Sequence, residues 1–474
     1  MGIIIILQTQ LLRSRSCVYL FGDNMMAFLA DCNRYLWGFL LIVILTLGIR
    51  LTYKSRCIQL RMLPSAIHTF IDGFCKEAGE FDVSPFRATC TALAATVGTG
   101  NLAGVAGAIA IGGPGAIFWM WVSGILGMVI KFAEVIIAMR YRQRNQLGEW
   151  IGGPMINIQR GMPMKYRCLA ALYAFFGVIA AFGIGNAAQI DTIVNSLGSL
   201  GSYFGYQQTI WDQLIIGLIL AVFVYRTLRT GVTGIGKYAE VLVPVTAASY
   251  MILVLIALIT HYNHIQYALK CIFWGAFRPA AVTGGFLGSL SQTMRVGVSR
   301  GIFTNEAGMG TASIAHASAD SEDPVKQGLL GMVEVFLDTI VICTCTALII
   351  LCSRVKITYG IDCGITLTIQ AFSLIFGGWI MIPLTIIIVT LAAATILGWG
   401  LYGTRCAQFL FGEAAWKYFM LLHAVIVILA ATSKTSVIWL LSEIANGLMS
   451  IPNLISLTYL MTSFYDVIKP YRPK

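Results

Sequence analysis

The sequence predicts an all-α polytopic membrane protein with eleven transmembrane helices, because the chain is apolar, sparsely charged and divided into long apolar segments. Of its 474 residues, 58% are hydrophobic and 11% are charged, and the mean hydropathy is +0.80. Average globular domains carry roughly 25% charged residues. This balance excludes an ordinary cytosolic enzyme, a disordered chain and a nucleic-acid-binding protein, since each of these needs far more polar surface.

Eleven apolar segments follow one another along the chain, and a bilayer span needs about 20 such residues. They cover about residues 33–52, 84–110, 115–140, 169–196, 209–226, 238–261, 280–302, 326–352, 378–406, 415–432 and 435–464. Residues 264–277 and 364–376 are expected to form short helices across loops. Counted from the second segment, five precede the seventh and five begin with it. This count predicts two inverted five-helix repeats, over about 84–261 and 280–464, after one extra N-terminal helix.

The topology is predicted from the distribution of positive charge. With the N-terminus outside, most of the 32 Lys and Arg residues fall in inner loops, and loops rich in these residues face the cytoplasm. We therefore expect a plasma-membrane protein with a cytoplasmic C-terminus, whose net charge of +11 requires no nucleic-acid partner. Residues 1–24 are expected to be an extension that need not be translated, since Met25 and Met26 offer later starts. Residues 25–474 then form a single transmembrane domain.

The second segment contains Gly98, Thr99, Gly100 and Asn101 in succession. Each Gly costs about 1 kcal/mol against Ala in a helix, and a helix break at membrane depth is tolerated only where it lines a cavity or is buried in protein. Half-helix N-termini favour a substrate carboxylate and unwound carbonyls suit Na⁺, and the side-chain oxygen of Asn101 is a further neutral Na⁺ ligand. The alternative is close helix packing by the glycines with one interhelical hydrogen bond from Asn101.

The seventh segment has a similar interruption from Thr283 to Gly288. Paired Gly-interrupted segments are the best sequence indication of a transporter binding site, so Gly285 and Phe286 are expected at the substrate, with Gly packing as the alternative. A small and polar run from Arg300 follows. It predicts a cytoplasmic gate in which Asn305 or Glu306 bonds across the closed pathway, and the alternative is a solvated loop.

Ionisable residues within spans cost about 2.5–3.5 kcal/mol at the centre by insertion scales. Lys131 and Glu134 are three residues apart and are expected to neutralise each other on one helix face, as a structural or gating pair. Glu334 and Asp338 are four apart and would repel each other, so each needs a partner or a proton.

Polar or aromatic residues on two other spans complete the candidate site. Gln189 gives the fourth span a polar face toward the interior. In the ninth span Thr395 could ligate Na⁺ through its hydroxyl and Trp399 could wall a substrate pocket, although both could simply pack. No facing His pairs for haem and no Walker motif are found, so no cofactor is expected apart from a coupling ion.

Several long motifs resemble the sodium:alanine (alanine/glycine:cation) symporter family. They are GGPGAIFWMWVSGILG from Gly112, VGTGNLAGVA from Val97, RGIFTNEAGMGTASIAHA from Arg300 and DTIVICTCTALIIL from Asp338. The likeness runs from about Asn33 to Tyr465. It implies a LeuT-type fold of two inverted five-helix repeats plus one N-terminal helix, and Na⁺-coupled uptake of alanine or glycine.

The resemblance also implies roles for individual residues. The amides near Thr99 and Gly100 would receive the substrate carboxylate, and Asn101 would ligate Na⁺. A second Na⁺ site would use residues around the carbonyls of the second segment and one hydroxyl of the ninth, namely Ala94, Thr96, Val97 and Thr395. Two points depart from the family pattern: Ala394 stands where a second hydroxyl is expected, and Phe303–Gly310 is a rival match for the break of the seventh segment.

The function predicted from these residues is symport of a small neutral amino acid with Na⁺ across the lipid bilayer. Gly98, Gly100 and Gly285 would allow close approach of the backbone, while Phe286 and Trp399 would limit side-chain size. This favours alanine or glycine and excludes leucine. The alternatives are a proton-coupled symporter that uses Glu134, Glu334 and Asp338, and less favoured ones are a channel and a membrane redox enzyme.

Overall fold

The computed structural model describes residues 2–74, 83–146, 148–283, 289–361, 364–433 and 436–471, and nearly all of this chain is helical. The helices of the first half are α1 (Gly2–Lys54), α2 (Ile58–Arg61), α3 (Leu63–Phe74), α4 (Pro85–Thr96), α5 (Val105–Gly112), α6 (Ala116–Tyr141), α7 (Pro154–Gly161), α8 (Arg167–Phe182), α9 (Ala188–Tyr203), α10 (Ile210–Leu228) and α11 (Gly231–Thr260). Those of the second half are α12 (Tyr262–Phe277), α13 (Pro279–Val282), α14 (Leu290–Asn305), α15 (Thr311–His316), α16 (Pro324–Val335), α17 (Cys343–Cys352), α18 (Ile365–Phe376), α19 (Met381–Phe411), α20 (Ala415–Thr432), α21 (Ser436–Tyr459) and α22 (Met461–Ile468).

Three π-helical segments interrupt the α-helices of the described chain. They precede α5, join α8 to α9 and join α16 to α17, and they span Gly100–Gly104, Gly183–Ala187 and Phe336–Ile342. Short 3₁₀ turns cover Met164–Tyr166, Gly378–Ile380 and Lys469–Tyr471, and the strands β1 (Gln143–Arg144) and β2 (Trp150–Ile151) pair antiparallel after α6. Such π-helical turns are rare and often lie at functional sites.

Eight helices of the described chain are long and apolar enough to cross a membrane, and two bent helix pairs raise the number to ten. One bent pair is α4 with Gly100–Gly112, at 48°. The expected span that is not among these ten is the seventh, 280–302, which corresponds to α14; this helix has only 16 residues and is too short to count as a span by itself. The two short helices expected across loops are present as α12 and α18.

The helices form a bundle whose centre is α6. Of the most apolar part of α6, 83% is buried, against 22% for α10 and 28% for α11. The two latter helices expose large apolar side chains such as Ile219 and Val241, each with an exposed fraction of 65%. A helix with an exposed apolar face is stable when that face meets lipid. We therefore place α10 and α11 at the lipid-facing periphery and α6 inside the bundle.

Close backbone contacts hold the start of α6 in place. Gly115, which precedes α6, lies so near α12 that a Cβ on it would be 2.0 Å from the carbonyl carbon of Gly275. The atoms nearest to this Cβ all belong to the backbone, so no flexible side chain could move aside to make room for it. Glycine at this position is therefore a requirement of the packing between α6 and α12.

The substitution Gly115→Ala is expected to lower stability by about 1–3 kcal/mol, the cost of overpacking a close-packed interior. Thermal unfolding of the detergent-purified protein measures the effect. Gly38→Ala in α1 is the matched control, because a Cβ there meets nothing within 4 Å. A Gly115→Ala protein as stable as the control would show that the contact can relax.

Candidate functional site

The first core helix is broken where the sequence predicts it. The α-helix α4 ends at Thr96, a π-helical turn covers Gly100–Gly104, and α5 begins at Val105. The amide of Gly98 donates to the side-chain oxygen of Asn101 at 3.1 Å, so this side chain stabilises the break locally. No backbone acceptor in the described chain receives the amides of Thr99 and Gly100, which leaves these two donors available at membrane depth.

A second break lies between α14 and α15, at the rival match. Glu306 adopts a left-handed φ of 54°, and Gly308 and Gly310 have φ values of 93° and 77°. A left-handed non-Gly residue costs of order 1–3 kcal/mol and persists only when its surroundings hold it. Here the carboxylate of Glu306 accepts hydrogen bonds from Thr311 Oγ1 and, at 3.0 Å, from Trp399 Nε1. The proposed substrate contacts Gly285 and Phe286 lie outside the described residues.

The expected gate residues are buried. Asn305 is fully buried and Glu306 has an exposed fraction of 4%, which excludes the alternative of a solvated loop. Asn305 donates from Nδ2 to Thr339 Oγ1 at 3.1 Å and accepts from the amide of Ala307 at 3.0 Å. The run from Arg300 therefore forms a helix break inside the bundle, where its polar side chains hold the irregular backbone.

The long helix α19 packs directly on the first break. A Cβ on Gly98 would lie 2.4 Å from Thr395 Oγ1, and one on Gly398 would lie 2.8 Å from Ala95 Cβ. Thr395 thereby lies against Gly98, next to Val97. The residues expected to form a second Na⁺ site are all buried: Ala94, Thr96, Val97 and Thr395. The neighbouring Ala394 is also buried and offers no hydroxyl.

The fourth predicted span contributes Gln189 from the start of α9. Thr99 Oγ1 donates to Gln189 Oε1 at 2.8 Å, and Gln189 Nε2 donates to the carbonyl of Ile184 at 3.2 Å. The π-helical turn that contains Gly185 lets Trp399 approach this region, since a Cβ on Gly185 would meet Trp399 Cβ at 2.2 Å.

A cavity of about 510 Å³ adjoins the first break. Its lining includes Thr99, Gly100 and Gln189 and continues to Ile365 at the start of α18 and to Glu443 in α21. Small-molecule sites typically measure about 300–1,000 Å³, so the cavity accommodates a small solute with water. Trp399 is not among its lining residues and lies behind Gly185.

Asp338 joins this site, although the sequence indicated it only as a buried acid or as a proton carrier of the alternative, proton-coupled symporter. Asn101 Nδ2 donates to Asp338 Oδ1 at 2.6 Å and to the Asp338 carbonyl at 3.1 Å. Asp338 lies in the π-helical segment Phe336–Ile342, which begins after Glu334. Glu334 and Asp338 each have their own partners, as the repulsion expected from their spacing requires: Lys131 and His316 contact Glu334, whereas Asn101 and Thr339 donate to Asp338.

Lys131 forms its direct ion pair with Glu334 and not, as the helical spacing predicts, with Glu134. Lys131 Nζ lies 3.3 Å from Glu334 Oε1, and Glu334 Oε2 lies 3.1 Å from His316 Nε2. Glu134 points instead at the second break, where its Oε1 accepts from the amide of Gly308 at 3.0 Å and from Asn453 Nδ2 at 2.6 Å. Lys131 and Glu134 contact residues of other helices and not each other, because α14 and α16 both pack on α6.

Two broken helices around a buried polar site, within a bundle of apolar spans, define a secondary transporter. The chain belongs to the sodium:alanine symporter family, whose model matches residues 22–474. It is 38% identical over 435 residues to the sodium/alanine symporter AgcS of Methanococcus maripaludis, covering 90% of this chain and 93% of that one. It is 35% identical over 443 residues to the probable sodium/glutamine symporter GlnT of Bacillus subtilis, covering 93% and 89%.

The crystal structure of MhsT in complex with L-phenylalanine has the same fold, with a TM-score of 0.58, 15% identity, and coverage of 81% of this chain and 90% of that one. The predicted fold class, an all-helical membrane protein of the LeuT type, is confirmed. The protein is a multi-pass, cation-coupled amino acid symporter and not an enzyme.

The substitution Lys131→Met is expected to destabilise the protein by about 3–5 kcal/mol, because it removes the ion-pair partner of the buried Glu334 and leaves that carboxylate only its contact with His316. The double variant Lys131→Met/Glu334→Gln should recover most of that loss. The midpoint of thermal unfolding in detergent reports both effects. A double variant no more stable than Lys131→Met alone would contradict the pairing.

Proposed function

We propose that this protein couples Na⁺ to the uptake of a small neutral amino acid, alanine or glycine, across the plasma membrane by alternating access. The observation that carries the proposal is the first helix break, where Thr99 and Gly100 line the cavity and their amides lack a backbone acceptor in the described chain. A substrate carboxylate would satisfy both donors, and the positive end of the following half-helix would favour it.

The coupling ion is proposed to bind on the other side of the same break. The carbonyls of Ala94 and Val97, with Thr96 nearby and the hydroxyl of Thr395, are oxygen ligands of the kind that Na⁺ uses at unwound helices. Asn101 is the proposed ligand of a further ion. One charge moving through 100 mV releases about 2.3 kcal/mol, which provides the driving force for uptake.

Substrate size is proposed to be limited around Thr99 and Gln189. The hydrogen-bonded side chains of Thr99 and Gln189 line the cavity. Phe286 is a proposed bulky neighbour, and Trp399 is proposed to limit the pocket from behind Gly185. We further propose the two repeats over about 84–261 and 280–464, and a topology with the N-terminus outside and the C-terminus in the cytoplasm. The excess of Lys and Arg in the loops assigned to the inner side supports that orientation.

Uptake into proteoliposomes tests the coupling ion. Radiolabelled alanine should accumulate when a Na⁺ gradient is imposed, and much less with a Li⁺ or proton gradient of equal size. Saturable counterflow distinguishes a carrier from a channel. Accumulation that followed the proton gradient and ignored Na⁺ would replace this proposal with a proton-coupled symporter. Unlabelled glycine, glutamine and leucine serve as competitors. Glutamine is included because one relative is named a probable sodium/glutamine symporter.

A pair of substitutions at one position tests the substrate site. Gly100→Leu should abolish alanine binding, because its side chain enters the cavity beside the proposed carboxylate donors. Gly100→Ala is the matched control, since a Cβ there has only ordinary contact, 3.5 Å, with Thr304 Cγ2. Binding of radiolabelled alanine to the purified variants is the measurement. Equal binding by both variants would remove Gly100 from the site.

A further inference from the structure

A groove of about 720 Å³ lies at the first turns of α11, on the lipid-facing surface of the bundle, and shares no lining residue with the cavity beside the first helix break. Its polar lining consists of Thr230, Thr233 and Lys237, and its apolar lining includes Val241 and Leu242. Positions 230, 233, 237 and 241 are three or four residues apart, so they form one stripe along the helix. The groove is therefore polar at its start and apolar further along α11.

The length of α11 places the polar end of the groove at the level of the lipid headgroups. The helix has 30 residues and is therefore about 45 Å long, which matches a bilayer of about 40–45 Å with its headgroup regions included and exceeds the hydrocarbon core of about 30 Å. Its first two turns then lie among the headgroups, and the apolar core begins near Val241. Tyr238, which also lines the groove and has an exposed fraction of 46%, carries the amphipathic ring typical of this boundary.

Three exposed cations lie at this end of α10 and α11. Lys237 lines the groove, Arg229 lies in the turn between the two helices, and Arg226 lies in the last turn of α10. Among the residues that the structure describes, none of these three cations forms an ion pair. Glu240, the single acid in α11, pairs instead with Arg87 at 2.9 Å. No acidic side chain of the described chain therefore balances the positive charge at the groove.

This combination of charge and shape fits a molecule that is anionic at one end and apolar at the other. A free anion would use the cations but would leave Val241 and Leu242 without a contact. A second copy of the chain, packed through the same face about a two-fold axis, would bring its own three cations toward these three. Basic pockets on transmembrane helices at the cytoplasmic side are known to bind anionic lipid headgroups, and the apolar stripe continues in the direction of the acyl chains.

We propose that this groove binds an anionic phospholipid from the leaflet that the proposed topology assigns to the cytoplasmic side. Its phosphate contacts Lys237 and Arg229, and the hydroxyl of Thr233 is a further donor to it. One acyl chain lies along Val241 and Leu242. The groove is separate from the cavity at the first break, so the inference holds whichever solute the protein carries.

Binding of radiolabelled phosphatidylglycerol to the purified full-length protein in detergent micelles is the direct test. Unlabelled phosphatidylglycerol should displace the label at a concentration about tenfold lower than phosphatidylcholine does. Arg229→Gln/Lys237→Gln should bind phosphatidylglycerol about tenfold more weakly, because each basic residue near the headgroup raises the affinity for an anionic lipid severalfold. The matched control Arg50→Gln/Lys326→Gln removes two exposed cations from other loops assigned to the same side and should leave binding unchanged. Equal weakening in the control, or equal displacement by phosphatidylcholine, would overturn the inference.

A second variant tests the apolar part of the groove and leaves the cations in place. Val241 has an exposed fraction of 65%, so Val241→Trp should fold normally, fill the groove and weaken phosphatidylglycerol binding severalfold. Lipid affinity that Val241→Trp left unchanged would exclude this groove as the site. Displacement of the lipid by millimolar inorganic phosphate would assign the cations to a free anion instead, and a wild-type dimer that Val241→Trp converts to a monomer would assign the face to a second copy of the chain.

Discussion

The hydrogen bond from Asn101 to the Asp338 carboxylate, at 2.6 Å, is the interaction on which the architecture of the site depends. Asn101 also accepts from the amide of Gly98, so a single side chain ties the first helix break to the π-helical segment of residues 336–342. Through Thr339 and Asn305 the same connection reaches the second break. Irregular backbone at membrane depth persists only when its polar groups find partners inside the protein, and this chain of contacts supplies many of them.

The few charges inside the bundle have two kinds of surroundings. Glu334 forms an ion pair with Lys131 and contacts His316, and this group links α6, α15 and α16 without reaching the cavity. Glu134 and Glu306 instead receive neutral donors and hold the backbone between α14 and α15, where Glu306 itself has a left-handed φ. These three buried acids therefore have one of two structural roles: Glu334 joins neighbouring helices, whereas Glu134 and Glu306 stabilise a helix break.

Local pattern is enough to predict most of the spans, the all-helical membrane class and the position of the first break, because apolar length and Gly-Thr-Gly-Asn are properties of neighbouring residues. The LeuT type of the fold was implied by the family resemblance. The position of the second break is harder to predict from the sequence, because residues 284–288 and 306–310 are both rich in glycine. The break at 306–310 is held in the structure by a long-range contact, from Trp399 to Glu306, which the local sequence does not reveal. The pairing of Lys131 with Glu334 was missed for the same reason: helical spacing indicates partners three or four residues away, whereas these are 203 residues apart.

The two sides of the first break differ in how readily they can separate. Toward Asp338 and Asn305 it is held by hydrogen bonds, so these parts are expected to move together. Toward α19 it is held by close packing, since Thr395 Oγ1 lies against Gly98 but donates to its own helix, at the carbonyl of Leu391. Thr99 to Gln189 is a hydrogen bond toward α9, and it lies at the cavity where a solute can compete for it. The alternating access proposed above would therefore cost least along the face formed by α9 and α19, and the proposed Na⁺ ion between α19 and the break would bias the equilibrium between the two arrangements.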